Sequence, residues 1–223
     1  MSNRPNRARR PGPGAGQPAP DRRRTLLIAG GVVVLVVIIG ILLALGGAED
    51  DAAIDDDRPD FGPVAVDGTP LPELGDGTDA ALGTPAPVVE GTDPEGSGVT
   101  IGEPGGPTLV AFLAHWCPHC QNEVPVLVDL AAEGELDGVR LVAVLTGTDE
   151  GAPNYPPVAW LEREEWSGEI ILDDERGTAA RAYGLSGFPF VVALDAEGNV
   201  AGRVSGESGR AGLLQLVDAA RAG

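Results

Sequence analysis

The chain has 223 residues and a mass of 22.7 kDa, enough for one ordinary domain with appended tails. Its 34 acidic side chains outnumber 15 cations, all of them Arg, for a net charge of −19; phosphate recognition needs a basic face, so a nucleic-acid binder is excluded. Two cysteines, Cys117 and Cys120, are too few for a disulfide-stapled mini-protein or a four-cysteine zinc site.

Residues 1–24 carry seven Arg and a single acid, Asp21, among Pro and Gly. Such a composition buries no apolar surface, and a disordered arm is expected. Residues 26–45 then run without a charge, a Pro or a polar side chain. At about 1.5 Å per residue, a helix of that length spans about 30 Å, the thickness of a hydrocarbon core. A transmembrane helix is therefore expected over residues 25–46. A buried helix of a soluble core rarely runs so long without a polar position. A cleaved secretion signal is the competing reading: Gly46-Gly47-Ala48 offers small residues for a cut, but such signals usually have apolar regions of only about 7–15 residues.

Cationic flanks remain cytoplasmic, which orients the chain as a single-pass protein of the cell membrane with its C-terminal portion outside. Disulfides persist there. Residues 47–83 hold eleven acids and one Arg with many Gly and Pro, and are expected to form an acidic, disordered linker.

Residues 84–223 carry the patterning of a folded domain. Val88-Val89 and residues 99–101 flank a Gly-rich turn, as in a short hairpin. Continuous apolar runs at 108–114, 139–145 and 170–172 suit buried strands. Residues 190–194 and 200–204, joined by Asp195-Ala196-Glu197-Gly198-Asn199, predict a terminal hairpin. Helical stretches are expected at 117–132, 158–166, 177–183 and 211–220. Strands alternating with helices give an α/β domain with a mixed central sheet flanked by helices.

The chemistry is concentrated in His115-Trp116-Cys117-Pro118-His119-Cys120, between a buried strand and a helix. Cys120, Val124, Leu127 and Ala131 share one apolar helix face, so Cys120 is expected to point into the core. Cys117 lies at the helix start, where free backbone N–H groups and the helix dipole favour an anion. The thiolate is the attacking form, so Cys117 is the expected nucleophile and Cys120 the resolving thiol. His119 can add a positive charge or a donor to the same sulfur. Pro118 stiffens the first turn at little cost. Trp116 is expected either to shelve substrate over the sulfurs or simply to pack at the strand end. A purely structural disulfide is a poor reading, because so short a loop gains only about 2 kcal/mol. Copper(I) held by the two sulfurs, with or without His119, is a competing binding-protein reading.

The run Trp116-Cys117-Pro118-His119-Cys120 followed by Glu123-Val124-Pro125 resembles the thioredoxin fold, and the Cys-x-x-Cys-x-x-Glu-x-Pro pattern is similar to the membrane-anchored TlpA and ResA-like thiol-disulfide oxidoreductases. Residues 182–190, ending Gly187-Phe188-Pro189-Phe190, resemble that family's cis-proline loop. The resemblance covers about residues 84–221. It implies that Pro189 is cis and faces the sulfurs, with the Phe188 backbone free to pair with an extended substrate. It also implies a redox-active Cys117–Cys120 disulfide, no cofactor or metal, and exported cysteine-containing proteins as partners, with a membrane electron donor or acceptor.

Glu123 corresponds to the family's helix carboxylate and is expected either to move protons near the site or to complement the helix dipole. Pro125 inside the helix predicts a kink. Three departures stand out. Ala111 occupies the place of thioredoxin's buried carboxylate, Phe188 replaces a smaller residue, and Pro118-His119 is the dipeptide of oxidising DsbA-like enzymes whereas TlpA-like relatives generally reduce. A peroxide-reducing redoxin of the same fold is the remaining alternative.

Overall fold

The computed structural model describes residues 58–223, so the Arg-rich arm, the expected membrane span and the first part of the acidic linker lie outside the described residues. Among the described residues no helix is long and apolar enough to cross a membrane.

The strands are β1 (Ala65–Asp67), β2 (Val88–Thr92), β3 (Gly98–Ile101), β4 (Thr108–Leu113), β5 (Arg140–Leu145), β6 (Glu169–Leu172), β7 (Phe190–Leu194) and β8 (Val200–Ser205). They form one sheet in the order β1-β2-β6-β5-β4-β7-β8, with β3 paired to β2. At its centre β4, β5 and β6 run parallel, while β7 returns antiparallel to β4 and β8 antiparallel to β7. The helices are α1 (Pro118–Ala132), α2 (Pro157–Arg163), α3 (Thr178–Ala182) and α4 (Gly209–Ala222). Parallel strands demand crossovers, and α1 and α2 supply them between β4 and β5 and between β5 and β6. This is the thioredoxin fold with its mixed sheet.

The continuous apolar runs have a simple cause, because the central strands are covered on both faces. Along β4, Leu109, Ala111 and Leu113 face one core layer with Cys120, Val124 and Leu127 of α1 and with Leu213 and Val217 of α4. Val110 and Phe112 face the other layer, with Tyr183, Phe190 and Ile101. Pro125 stands within α1, which continues to Ala132. The proline removes the N–H that would otherwise meet the Gln121 carbonyl.

The expected disordered linker is corrected over residues 58–83. β1 pairs antiparallel with β2 through Ala65↔Glu90, Val66↔Val89 and Asp67↔Val88. The Leu71 N–H donates to the Ala182 carbonyl at 2.8 Å, and Leu71 and Ala81 are buried. Asp79 forms an ion pair with Arg203 of β8, whose side chain is almost fully enclosed and also donates to the Pro72 and Tyr183 carbonyls. Composition misleads here because a few apolar anchors and one paired acid are enough to fasten the segment.

Candidate active site

Strand β4 ends at Leu113, and the chain turns through Ala114, His115 and Trp116 to enter α1. Cys117 is the N-cap residue, with extended backbone angles (φ −78°, ψ 119°), and Pro118 opens the helix. The Cys117 N–H donates to the Ala114 carbonyl at 3.0 Å, and the Gln121 N–H donates to the Cys117 carbonyl at 3.1 Å. Cys117 thus stands at the mouth of α1, although its side chain makes no capping hydrogen bond to the first turn.

Both cysteines are free thiols. Cys117 retains 6% of its surface and Cys120 none, so only Cys117 meets solvent. Burial pushes the Cys120 thiol well up from its ordinary range, and the neighbouring Cys117 and Glu123 act in the same direction. The accessible sulfur and the protonated, enclosed one are thus distinct in chemistry as well as in position.

The Phe188–Pro189 bond is cis, as the family resemblance implies, and the loop lies against the cysteine. The Cys117 thiol points at the Phe188 carbonyl, 3.8 Å from Sγ. The Trp116 ring meets the Phe188 ring edge-on, with centroids 5.8 Å apart, and its indole N–H donates to the Gly147 carbonyl at 2.7 Å. Trp116 keeps 37% of its surface exposed. It is both an exposed ledge and a hydrogen-bonded part of the wall, so the two readings of it are not exclusive.

His119 is exposed, and its Nδ1 lies 3.0 Å from Glu207 Oε2; the Asn122 amide donates to the same oxygen at 3.1 Å. These two contacts, His119 first, hold the Glu207 carboxyl below the usual carboxylate range. Sequence reasoning assigned His119 to the sulfur and had no signal for Glu207, which is 88 residues away. A carboxylate beside the imidazole offsets any positive charge that His119 presents to Cys117.

Glu123 is fully buried. It lies beyond the first turn of α1, which contains no acid, so it does not complement that helix's own dipole. Its oxygens instead accept from the Ser208 N–H (3.1 Å), the Ser208 hydroxyl (2.5 Å) and the Gly209 N–H (2.9 Å) at the start of α4. The two backbone N–H groups are among those that a helix N-terminus leaves without internal partners. Glu123→Ala is expected to destabilise the domain by about 3 kcal/mol, because three half-buried donors lose their charged acceptor. Urea denaturation of the full chain checks it, and an unchanged midpoint would mean that solvent replaces the carboxylate.

His115 went without a role in the sequence, although it adjoins the motif. It is buried, and its two ring nitrogens meet opposite partners: Nδ1–H donates to the Pro153 carbonyl at 2.7 Å, and Nε2 accepts from the Asp149 N–H at 3.2 Å. A carbonyl only accepts and an amide N–H only donates, so the ring is neutral with its proton on Nδ1. Ala111 is buried in the same core layer as both cysteines, so the site has no carboxylate at that strand position. Among the described residues no three His, Cys, Asp or Glu side chains gather into a possible metal site.

Comparisons with known proteins place the chain in a family. The family model described as Redoxin matches residues 81–215, more than half of the chain. Two curated relatives carry the name thiol:disulfide interchange protein DsbE. One, from Pasteurella multocida, is 28% identical over 110 residues, covering 49% of this chain and 56% of that protein. The other, from Haemophilus influenzae, is 30% identical over 103 residues, covering 46% of this chain and 52% of that protein. The chain thus spans about half the length of these relatives. Among solved structures, a thiol:disulfide interchange protein of the thioredoxin family from Chlorobium tepidum superposes with a TM-score of 0.52 at 24% identity, covering 64% of this chain and 99% of that one. The thioredoxin domain of a thiol-disulfide oxidoreductase from Bacteroides vulgatus gives 0.51 at 24% identity, over 62% and 96%. At that identity the two structures establish the fold alone. The family model covers most of the described domain, and the chain belongs to the redoxin family.

Proposed function

We propose that the chain is a thiol-disulfide oxidoreductase of the TlpA and ResA-like branch, acting on exported cysteine-containing proteins through Cys117 and Cys120. The observation that carries this reading is the asymmetry of the sulfurs: Cys117, at a helix mouth beside the Phe188–Pro189 loop, keeps a small solvent contact, whereas Cys120 has none. Cys117 thiolate attacks a substrate disulfide, the S–S bond breaks, and one substrate sulfur leaves as a thiolate. Cys120 then gives up its proton and attacks Cys117 in the mixed disulfide, which releases the second substrate thiolate and leaves a Cys117–Cys120 disulfide. In reverse, a substrate dithiol is oxidised and the pair becomes reduced.

Retention at the cell membrane through residues 26–45, with the domain outside, completes the proposal. Its support is the length of that apolar run and the Arg cluster before it. A membrane electron donor or acceptor would then reset the pair after each turnover.

The redox midpoint depends on charge at the helix mouth. An uncompensated His119 would stabilise the thiolate and push the couple toward the roughly −120 mV of DsbA. Glu207 offsets that charge. The midpoint is therefore expected between about −120 and −270 mV, the latter being the thioredoxin value. Equilibrating the full chain with glutathione buffers and quantifying free thiols measures it. A midpoint at the DsbA value would show that Glu207 has no influence on the sulfur, and failure to exchange at all would remove the enzyme reading.

A further inference from the structure

We infer that His115 is a positioning residue for disulfide exchange: its neutral imidazole ties the segment that delivers Trp116 and Cys117 to the 147–156 loop, and so sets the aromatic wall beside the reactive sulfur. The inference rests on the function proposed above and adds a residue that the cysteine motif does not include.

The connection has four points. The ring spans from the Pro153 carbonyl to the Asp149 N–H. The His115 carbonyl accepts from the Gln121 side chain of α1 at 3.0 Å and from the Asn154 side chain at 3.3 Å. One residue thereby joins the strand end, the nucleophile's helix and three positions of the loop.

That loop forms the wall. Its Gly147 carbonyl holds the Trp116 indole, and the space where a Gly147 side chain would begin lies 3.6 Å from the Phe188 ring. A shift of the loop therefore moves Trp116 relative to Phe188, and the Phe188 carbonyl is where the Cys117 thiol points. The loop's own backbone includes Asn154 at φ 63°, a left-handed angle that Asn accepts more readily than most residues, and the Asn154 side chain donates to the His115 carbonyl.

The clamp depends on the ring's charge. Asp149 and Asp60 face it and favour protonation, as does the Pro153 carbonyl, yet burial outweighs them and holds His115 below the usual histidine value. The Tyr155 ring stands against it at 6.1 Å, with its hydroxyl donating to Asp60 at 2.6 Å. A protonated imidazole has two N–H donors and no acceptor, so the Asp149 N–H would lose its partner. The wall is thus firm at neutral pH and loosens on acidification, beginning below about pH 6.5 and finishing below the depressed folded value.

The test uses the full chain with His115→Phe, which keeps a ring of similar bulk without nitrogens, and His115→Gln, which retains an uncharged acceptor within reach of the Asp149 N–H. Steady-state reduction of a peptide–glutathione mixed disulfide, with reduced glutathione in excess as the reductant that returns the cysteine pair to dithiol, and hydrogen exchange of residues 147–156 are followed from pH 5 to 8. His115→Phe is expected to raise KM about tenfold, with kcat changing far less, and to speed exchange in the loop, as the loss of two hydrogen bonds requires. His115→Gln is expected to recover most of the KM and to lack the wild-type rise in KM on acidification. Faster loop exchange with an unchanged KM would reduce His115 to a structural part and overturn the inference, as would an acid rise in KM that persists in His115→Gln. If the wild type shows no turnover, the functional reading fails by itself; unchanged loop exchange in His115→Phe would then refute the clamp independently.

Discussion

Cys117→Ser is expected to lower disulfide exchange by about 10³-fold or more, an increase of about 4 kcal/mol in the barrier. Cys120→Ser is expected to stop the reaction at a covalent adduct instead. The difference follows from the two sulfurs' surroundings. Cys117 is the one that solvent reaches, and it is the N-cap residue of α1, beside the Phe188–Pro189 loop. Cys120 is fully enclosed, and burial disfavours its ionisation, so it cannot replace Cys117 against an external disulfide. Its reactivity is called upon only when the mixed disulfide brings an electrophilic sulfur to it. Mass spectrometry of Cys120→Ser after incubation with a disulfide peptide should find one adduct per chain, on Cys117. Alkylation of Cys117→Ser with iodoacetamide at neutral pH should be slow. Retained turnover in Cys117→Ser, or rapid modification of Cys120 in that variant, would reverse the assignment.

Arg203→Leu is expected to destabilise the domain by about 3–5 kcal/mol, the usual cost of leaving one member of a buried ion pair alone. Arg203 donates to Asp79 and to the Pro72 and Tyr183 carbonyls, so its loss strands three acceptors. The double variant Asp79→Leu/Arg203→Leu should regain part of that loss, because no buried charge then remains unpaired. Denaturant midpoints of the four proteins give the coupling directly, and strict additivity would contradict it. The pair also predicts an acid dependence. The Arg203 guanidinium holds the Asp79 carboxyl below its ordinary range, so its stabilising contribution is complete above about pH 3.9 and is lost as pH falls through the lowered folded value. Asp79→Asn should flatten stability across that interval.

Signals that are local in the chain were legible in advance. The apolar run at 108–114 announces a strand buried on both faces, and β4 occupies Thr108–Leu113 with every residue enclosed. The helix after the motif and the hairpin after Pro189 follow from the same kind of pattern. What escaped depends on partners far away in sequence. Asp79 reads as one more solvated acid until Arg203, 124 residues later, is seen to be enclosed around it. Glu207 is a loop carboxylate with no motif, brought to His119 only by the return of β8. Glu123 was legible as a residue of interest, but its partners are backbone groups of Ser208 and Gly209, which no side-chain pattern reveals. His115 has the same difficulty: both ring partners are main-chain atoms of a loop whose path is set by tertiary packing.

The strap formed by residues 58–83 decides where the domain can be excised. The family match begins at residue 81 and the cysteine chemistry much later, so a soluble fragment starting at 84 looks sufficient on paper. Such a fragment would discard the edge strand β1, the Leu71 anchor and the acid that neutralises Arg203. A cut after Asp79, whether by design or by a protease, would leave the cysteine motif in place on a sheet that has lost its edge strand and on an Arg203 that has lost its acid.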